Sequence, residues 1–149
     1  FRFSLNTPKM IQQFEHNTAS LAERIAAANK MILAGYPLGF IVAPLFIYPG
    51  YQADYADLFN ELAQGLRRAP EDLSFELITH RFTNSAKRVI MERFPSTQLD
   101  LDETKRCRKF GRYGMVKYVY PGPEYNQLKS VIVKLLEETL PTARITYFT

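Results

Sequence analysis

The sequence predicts an α/β fold built on a parallel sheet, and three observations predict it. Strand-like apolar segments alternate with amphipathic helical segments through residues 1–95. Segment 38–47 is apolar on both faces, as expected for a strand covered on both sides. With 46% hydrophobic residues in 149, the chain can fill one core. Functional groups of such a fold gather at the carboxyl ends of the strands.

Composition limits the classes of function. The 19 basic and 15 acidic residues give a net charge of +4, which mildly favours polyanionic partners. Cys107 is the single cysteine, so no internal disulfide can form, and no Cys or His pair has metal-ligand spacing. We therefore expect a reducing compartment. The longest apolar stretch, 38–48, is far shorter than the roughly 20 residues that span a bilayer, so we expect a soluble protein without membrane contact.

The first elements have clear boundary signals. Residues 1–5 already look like a strand, with no initiator Met, so we expect the natural chain to extend upstream. Thr7 and Pro8 predict the N-cap and first position of a short helix. Ser20 and Glu23 form a capping box that starts the next helix. That helix presents an apolar face and ends near Ala34, before Gly35 and Pro37; the face comprises Leu21, Ile25, Ala28 and Ile32.

The later elements follow from their periodicity. After strand 38–47, an apolar helical face predicts a second amphipathic helix, namely Tyr55, Leu58, Phe59, Leu62 and Leu66. A strand at 73–80 and a helix at about 84–93 follow. The strand ends that should meet at one edge of the sheet are 4–6, 43–48 and 80–83.

The pattern changes after Pro95. A charged run leads into a predicted β-hairpin with its tip at Arg112 and Tyr113, and the run contains Asp100, Asp102, Glu103, Lys105, Arg106, Arg108 and Lys109. A helix at about 124–140 and a strand at 145–148 complete the chain.

Few single residues point to chemistry. Ser4 and Asn6 could bind a ligand at a strand end, although small polar residues there more often cap a turn. His16 and His80 are far apart in sequence and lack triad or metal partners, so we assign neither a catalytic role. Cys107 lies in a basic run, where a bystander thiol is commoner than a reactive one.

The basic and aromatic residues around the hairpin are more informative. Their charges suit phosphates and their rings suit exposed bases. The basic residues are Lys105, Arg106, Arg108, Lys109, Arg112 and Lys117, and the aromatic residues are Phe110, Tyr113, Tyr118 and Tyr120. A solvated charged face beside a hairpin would have the same composition, so both interpretations stay open.

An ordered set of segments resembles the radical S-adenosylmethionine superfamily and, within it, the spore photoproduct lyase family. The segments are Ser-Leu-Asn-Thr at 4–7, Phe-Glu-His-Asn-Thr at 14–18, Leu-Ala-Glu-Arg-Ile at 21–25, Ala-Gly-Tyr-Pro-Leu-Gly-Phe-Ile-Val-Ala-Pro at 34–44, Phe-Glu-Leu-Ile-Thr-His-Arg-Phe-Thr at 75–83, Lys-Arg-Val-Ile at 87–90, Gly-Arg-Tyr-Gly at 111–114 and Ile-Thr-Tyr-Phe-Thr at 145–149. The resemblance covers essentially the whole chain.

The resemblance implies a fold and an activity. Residues 1–95 would form the second half of a partial (β/α) TIM-like barrel of the radical SAM type, and 96–149 would add the hairpin, helix and strand to the same domain. The parent lyase would bind S-adenosylmethionine and a 4Fe-4S cluster, and reverse the spore photoproduct thymine dimer directly through a deoxyadenosyl radical. Its partners would be damaged double-stranded DNA and an external electron donor, in the cytoplasm of a spore-forming bacterium.

The resemblance also implies site residues. Ser4 matches a strand-end serine that contacts the cofactor, Ala43 matches a position whose backbone meets the adenosine part, and Asn6 is a weaker candidate. Arg112 and Tyr113 match a hairpin tip that wedges at the lesion, where flipping a damaged dinucleotide costs less. The remaining basic residues would hold the DNA backbone, namely Lys117, Lys105, Arg106, Arg108 and Lys109.

The sequence also departs from the family pattern. It lacks the CxxxCxxC loop that ligates the cluster and the cysteine that returns a hydrogen atom, and Cys107 does not match that donor. The cluster ligands would then lie outside this chain, and the chain alone should be inactive. Two alternatives remain, a radical SAM enzyme with another substrate and a non-catalytic basic nucleic-acid-binding module.

Overall fold

A computed structural model of the protein describes residues 1–68, 70–111 and 114–149. The strands are β1 (Arg2–Leu5), β2 (Gly39–Leu45), β3 (Ser74–Thr79), β4 (Cys107–Phe110), β5 (Val116–Val119) and β6 (Arg144–Phe148). The α-helices are α1 (Pro8–Phe14), α2 (Leu21–Leu33), α3 (Tyr51–Gly65), α4 (Asn84–Arg93) and α5 (Gly122–Thr139). A short 3-10 helix, Glu103–Lys105, precedes β4.

The strands form two sheets. A four-stranded sheet has the order β1-β2-β3-β6, and each neighbouring pair is parallel. β4 and β5 form an antiparallel pair in which Cys107 lies opposite Val119 and Phe110 opposite Val116. The mixed α/β class and the parallel sheet are therefore as predicted. Because β6 pairs with β3, the last strand of the chain completes the same sheet as the first three.

The helices cover one face of the large sheet. Phe40 and Val42 of β2 and Phe75 and Leu77 of β3 are fully buried on that face. They belong to a core that includes residues of α2, α3 and α5, among them Ile25, Leu58 and Ile132. Core residues thus come from both 1–95 and 96–149.

The opposite face of the sheet is open. Ser4 lies opposite Ile41, Ile41 opposite Glu76, and Glu76 opposite Tyr147, so these four residues form one row across the sheet. Ser4 and Tyr147 are exposed, whereas Ile41 and Glu76 are half-buried. A parallel sheet normally has both faces covered, so this face is available for a further layer or for ligands.

Local signals explain the element boundaries. The Thr7 side chain accepts a hydrogen bond from the Met10 N–H at 3.3 Å, which confirms the predicted N-cap of α1. The Ser20 and Glu23 capping box of α2 is also present. Gly35 adopts φ +76°, a left-handed conformation that suits glycine, just after α2 ends.

Most predicted boundaries hold within a residue or two. The helix predicted at 84–93 coincides with α4. The strands predicted at 38–47 and 73–80 are shorter in the structure, where β2 covers Gly39–Leu45 and β3 covers Ser74–Thr79. The His80 N–H still donates to the Leu45 carbonyl at 2.8 Å, just beyond these strands. The charged run was expected to lead into the hairpin, but its last residues form β4 itself. No helix in the described part of the chain is long and apolar enough to cross a membrane.

Candidate functional site at the carboxyl ends of the strands

Asn6 joins the ends of the first two strands. Its Nδ2 donates to the Pro44 carbonyl at 3.2 Å, and its Oδ1 accepts from the Thr7 N–H at 3.0 Å. The residue is only 1% exposed. These contacts give Asn6 a structural role at the strand ends, and they argue against its predicted direct contact with a cofactor.

Ser4 lies on the open face of the sheet, opposite Ile41 of β2. Ala43 is two residues beyond Ile41, in the segment between Val42 and Leu45 where the register of β2 against β3 shifts and the regular alternation of faces is interrupted. Ser4 is exposed and Ala43 is half-buried. Nη1 of Arg24 donates to the Ser4 carbonyl at 3.2 Å and lies 3.5 Å from its Oγ. Both predicted cofactor residues therefore keep accessible surface near the carboxyl ends of β1 and β2.

Arg24 is itself held firmly. Its Nη2 lies 2.6 Å from Oε2 of Glu15, and its Nε donates to the Ala19 carbonyl at 2.8 Å. The side chain of Arg24 is only 8% exposed. This ion pair fixes the segment between α1 and α2 against the end of β1, where Ser4 lies.

The hairpin is attached to the sheet through Phe82. The Tyr118 N–H donates to the Phe82 carbonyl at 2.8 Å, and the Phe82 N–H donates to the Tyr118 carbonyl at 3.2 Å. The two rings are stacked, with centroids 5.2 Å apart and an interplanar angle of 19°. Both residues are buried, and this single antiparallel bridge joins the chain after β3 to the hairpin.

Arg106 precedes β4 and is buried at this junction. Its side chain is 1% exposed, and its Nη1 donates to the His80 carbonyl at 3.2 Å. Its guanidinium carbon lies 3.9 Å from the centroid of the Tyr120 ring, a cation–π distance. Oδ2 of Asp100 lies 3.7 Å from Nη2 and supplies a partly exposed counter-charge. This burial argues against the predicted phosphate contact of Arg106.

His80 accepts a hydrogen bond from Arg106. Nη2 of Arg106 lies 3.3 Å from Nδ1 of His80, and a guanidinium has no acceptor, so Nδ1 must carry the lone pair. The imidazole is then the neutral Nε2–H form. Burial lowers the pKa of His80 to about 4, and the positive charge of Arg106 adds to this effect. The ring also packs on Phe46 at a centroid distance of 4.8 Å.

Two buried tyrosines satisfy the backbone beyond β2. The Phe46 N–H donates to the Tyr55 hydroxyl at 2.8 Å, and the Ile47 N–H donates to the Tyr120 hydroxyl at 3.0 Å. Burial raises the pKa of both tyrosines, so both stay protonated at neutral pH. Tyr120 follows β5 directly, so the second strand of the hairpin is tied to the end of β2.

The other predicted DNA contacts differ in their surroundings. Lys105, Arg108 and Lys109 are exposed, and Lys117 is half-buried. Nζ of Lys105 lies 3.6 Å from Oδ2 of Asp102, an exposed pair of small energetic value. The predicted hairpin tip, Arg112 and Tyr113, lies outside the described residues.

A cavity separates the hairpin from the ends of β3 and β6. Its volume is about 290 Å³, and its lining consists of Thr79, Arg81, Lys109, Val119, Tyr120, Gly122, Tyr125 and Thr149. Arg81 donates to the Thr79 carbonyl and to the Thr149 hydroxyl, both at 3.3 Å. An anion in this cavity would therefore meet two cationic side chains, Arg81 and Lys109.

The described residues offer no metal centre. Within 1–68, 70–111 and 114–149, no group of three or more His, Cys, Asp or Glu residues could hold a metal ion. Cys107, the single cysteine of the sequence, is exposed in β4. The donor set of these residues therefore does not fit an iron–sulfur cluster, which cysteine thiolates hold.

Comparison with known proteins decides the family. The sequence model described as spore photoproduct lyase matches residues 1–149. The chain belongs to the spore photoproduct lyase family. It is 48% identical over 150 residues to the spore photoproduct lyase of Geobacillus sp. (strain Y412MC61), covering 100% of this chain and 44% of that protein. The Bacillus subtilis (strain 168) protein is 47% identical, with the same coverage.

Solved structures of the family agree with this assignment. The structure of "Spore photoproduct lyase complexed with dinucleoside spore photoproduct" has a TM-score of 0.96 and 50% identity, covering 100% of this chain and 44% of that chain. A mutant solved "with bound AdoMet and dinucleoside spore photoproduct" has the same TM-score and coverage. This chain thus spans less than half the length of the relatives that it matches.

Sequence reasoning did not predict the buried cluster at the hairpin root. Arg106 and His80 are 26 positions apart, and no local pattern predicts that they pair. Arg106 looked like one more member of an exposed basic run. The one available signal was the position of 80–83 at a strand end, where side chains from separate segments meet.

Proposed function

We propose that this chain is part of a radical SAM lyase that directly reverses the spore photoproduct thymine dimer in DNA. Family membership along the full chain is the observation that carries the proposal. Relatives named spore photoproduct lyase share 47 to 48% of its residues, and solved relatives hold the dinucleoside lesion and AdoMet. Identity of this degree along the whole chain supports the same activity in the protein that contains it.

The proposed architecture is the second half of a partial (β/α) barrel. Parallel strands with helices on one face are the pattern of a barrel wall, whose inner face would be the open face described above. In this proposal residues 1–95 supply most of the wall, and 96–149 supply the hairpin extension of the same domain together with α5 and β6, which adds a fourth strand to the wall. The core shared between the two parts supports one folded unit.

Ser4 and Ala43 are the proposed contacts for AdoMet. Ser4 is exposed on the open face, so its hydroxyl can hydrogen-bond a polar group of the cofactor, and Ala43 lies near the carboxyl end of β2. A half-buried small residue such as Ala43 allows a flat base to approach the backbone. When bound and reduced, the cofactor supplies the radical chemistry of the superfamily. The 4Fe-4S cluster would depend on residues outside this chain.

The hairpin is the proposed DNA surface. Lys105, Arg108, Lys109 and Lys117 would contact phosphates, and Arg112 with Tyr113 would meet the lesion. The exposure of the first three supports the phosphate contacts. Damaged double-stranded DNA, an external electron donor and a cytoplasmic location belong to the same proposal.

A basic nucleic-acid-binding module is the second candidate, and the exposed cations around β4 favour it. It predicts DNA binding with a steep salt dependence but no lesion repair. A radical SAM enzyme with another substrate would instead cleave AdoMet and leave the lesion intact.

A repair assay separates these candidates. The longest natural protein that contains this chain would be incubated under reducing, oxygen-free conditions with AdoMet and an oligonucleotide carrying one spore photoproduct. We expect two thymines to be restored without strand cleavage, detected by chromatography of the digested DNA. AdoMet cleavage without repair would establish another substrate, and DNA binding with neither reaction would establish the module.

A further inference from the structure

The hairpin is anchored at the root of each of its strands. Arg106 immediately precedes β4 and Tyr120 immediately follows β5. Arg106 binds the end of β3 through the His80 carbonyl, and Tyr120 binds the end of β2 through the Ile47 N–H. The Arg106 guanidinium also lies on the Tyr120 ring, so the two roots contact each other.

The side chains around these roots are largely buried, and the Arg106 guanidinium has hydrogen-bond partners within the protein. Phe82 lies beneath Arg106 at 5.8 Å and stacks on Tyr118 of β5, while His80 packs on Phe46 beyond β2. A guanidinium is rigid and planar and makes several bonds at fixed angles. Its orientation therefore sets the angle between the hairpin and the strand ends.

We propose that Arg106 is a positioning residue, which orients the hairpin relative to the carboxyl ends of β2 and β3 without contacting DNA. The inference rests on the proposed function in one respect, since it assumes that the hairpin tip meets the lesion. It assigns Arg106 a role different from its neighbours in the basic run. Arg108 and Lys109 face solvent, whereas the Arg106 guanidinium is enclosed by rings and carbonyl groups.

The salt dependence of DNA binding separates positioning from phosphate contact. Each phosphate contact adds about one to the slope of log affinity against log salt concentration. We expect Arg106→Met to leave this slope unchanged and to reduce the preference for lesion DNA over undamaged DNA by about tenfold, the effect of losing roughly one good contact. Arg108→Ala should lower the slope for both DNAs, and Arg67→Ala, an exposed arginine ahead of β3, should change neither quantity.

Hydrogen exchange tests the positioning role without DNA. In the longest natural protein that contains this chain, Arg106→Met should raise exchange of the Tyr118 and Val119 amides about tenfold and leave β2 and β3 amides unchanged. Tyr120→Phe removes only the hydroxyl that accepts from the Ile47 N–H, and it should also raise exchange of the Tyr118 and Val119 amides. This second variant keeps the test decisive if Arg106→Met fails to fold.

Two results would overturn the inference. One is a slope of log affinity against log salt concentration that is smaller by about one in Arg106→Met than in the wild type, which would mean that the wild-type Arg106 guanidinium contacts a phosphate. The other is wild-type exchange of the hairpin amides in both variants. If the wild-type protein has no preference for lesion DNA, the proposed function fails, and the exchange comparison still decides whether Arg106 orients the hairpin.

Discussion

Arg106 shows why a residue type alone does not define a role. Composition placed it with Lys105, Arg108 and Lys109 as a candidate phosphate ligand. In the structure it is enclosed by Tyr120, Phe82 and the His80 carbonyl. A buried charge needs partners within the protein, and Arg106 has them in carbonyl groups, rings and Asp100. Such partners come from separate segments and cannot be read from local sequence.

His80 gives a prediction about acid stability. Its pKa is about 4 in the folded protein and near 6.5 when unfolded, so the unfolded chain binds the proton more tightly. Stability from the neutral imidazole is therefore complete above pH 6.5 and is lost as pH falls toward 4. The charged groups facing the ring are Arg106 and Asp100.

The variant His80→Gln should reduce this dependence. Between pH 7 and pH 4 we expect the wild type to lose on the order of 3 kcal/mol more than the variant, at about 1.4 kcal/mol per pKa unit. Urea denaturation at several pH values measures the difference. His16→Gln, at an exposed position, is the control and should follow the wild type. Parallel pH profiles for His80→Gln and the wild type would contradict the buried neutral imidazole.

At the scale of the element, helix starts were predictable because capping is local. Ser20 and Glu23 lie three residues apart, and the Ser20 N–H donates to Glu23 Oε2 at 2.7 Å, as their spacing implies. The strand pairing of residues 107–110 was less evident, because a charged strand lacks an apolar alternation. All four residues of β4 are exposed, so its pairing depends on the tertiary contacts at its root.

Ser20→Ala tests the cap of α2. We expect the free energy of unfolding to fall by about 1 kcal/mol, because the Glu23 N–H loses its acceptor. Chemical denaturation measures the change. Ser130→Ala makes the same substitution at an exposed position inside α5 and should be neutral or slightly stabilising. Equal effects of the two substitutions would show that the capping box contributes nothing.

Gly65→Ala tests the packing of α3 on α2. A Cβ at Gly65 would lie 2.8 Å from Cγ2 of Ile25, a branched core side chain with little freedom to move. We expect a loss of about 1 to 3 kcal/mol in unfolding free energy, although alanine normally favours a helix. Gly122→Ala, whose Cβ would meet nothing within 4 Å, is the control. A stabilising Gly65→Ala would mean that the two helices are further apart.

At the scale of the whole molecule, the sequence predicted the α/β class and the parallel sheet, because periodicity reports which faces are buried. It did not predict that β6 joins β3, since strand order depends on how α5 packs across the sheet. The open face carries the row Ser4, Ile41, Glu76 and Tyr147, which is half polar. In the described part of the chain β1 is an edge strand whose one neighbour is β2, a position that the proposed barrel would pair with a further strand.

We propose that AdoMet binds at Ser4 on the open face and at Ala43 near the end of β2, while lesion DNA binds the hairpin. Hydrogen–deuterium exchange in the longest natural protein that contains this chain measures both contacts at once. We predict that AdoMet protects the ends of β1 and β2, and that an oligonucleotide with one spore photoproduct additionally protects β4 and β5. Protection confined to the helical face of the sheet, with the strand ends and hairpin unchanged, would contradict the account.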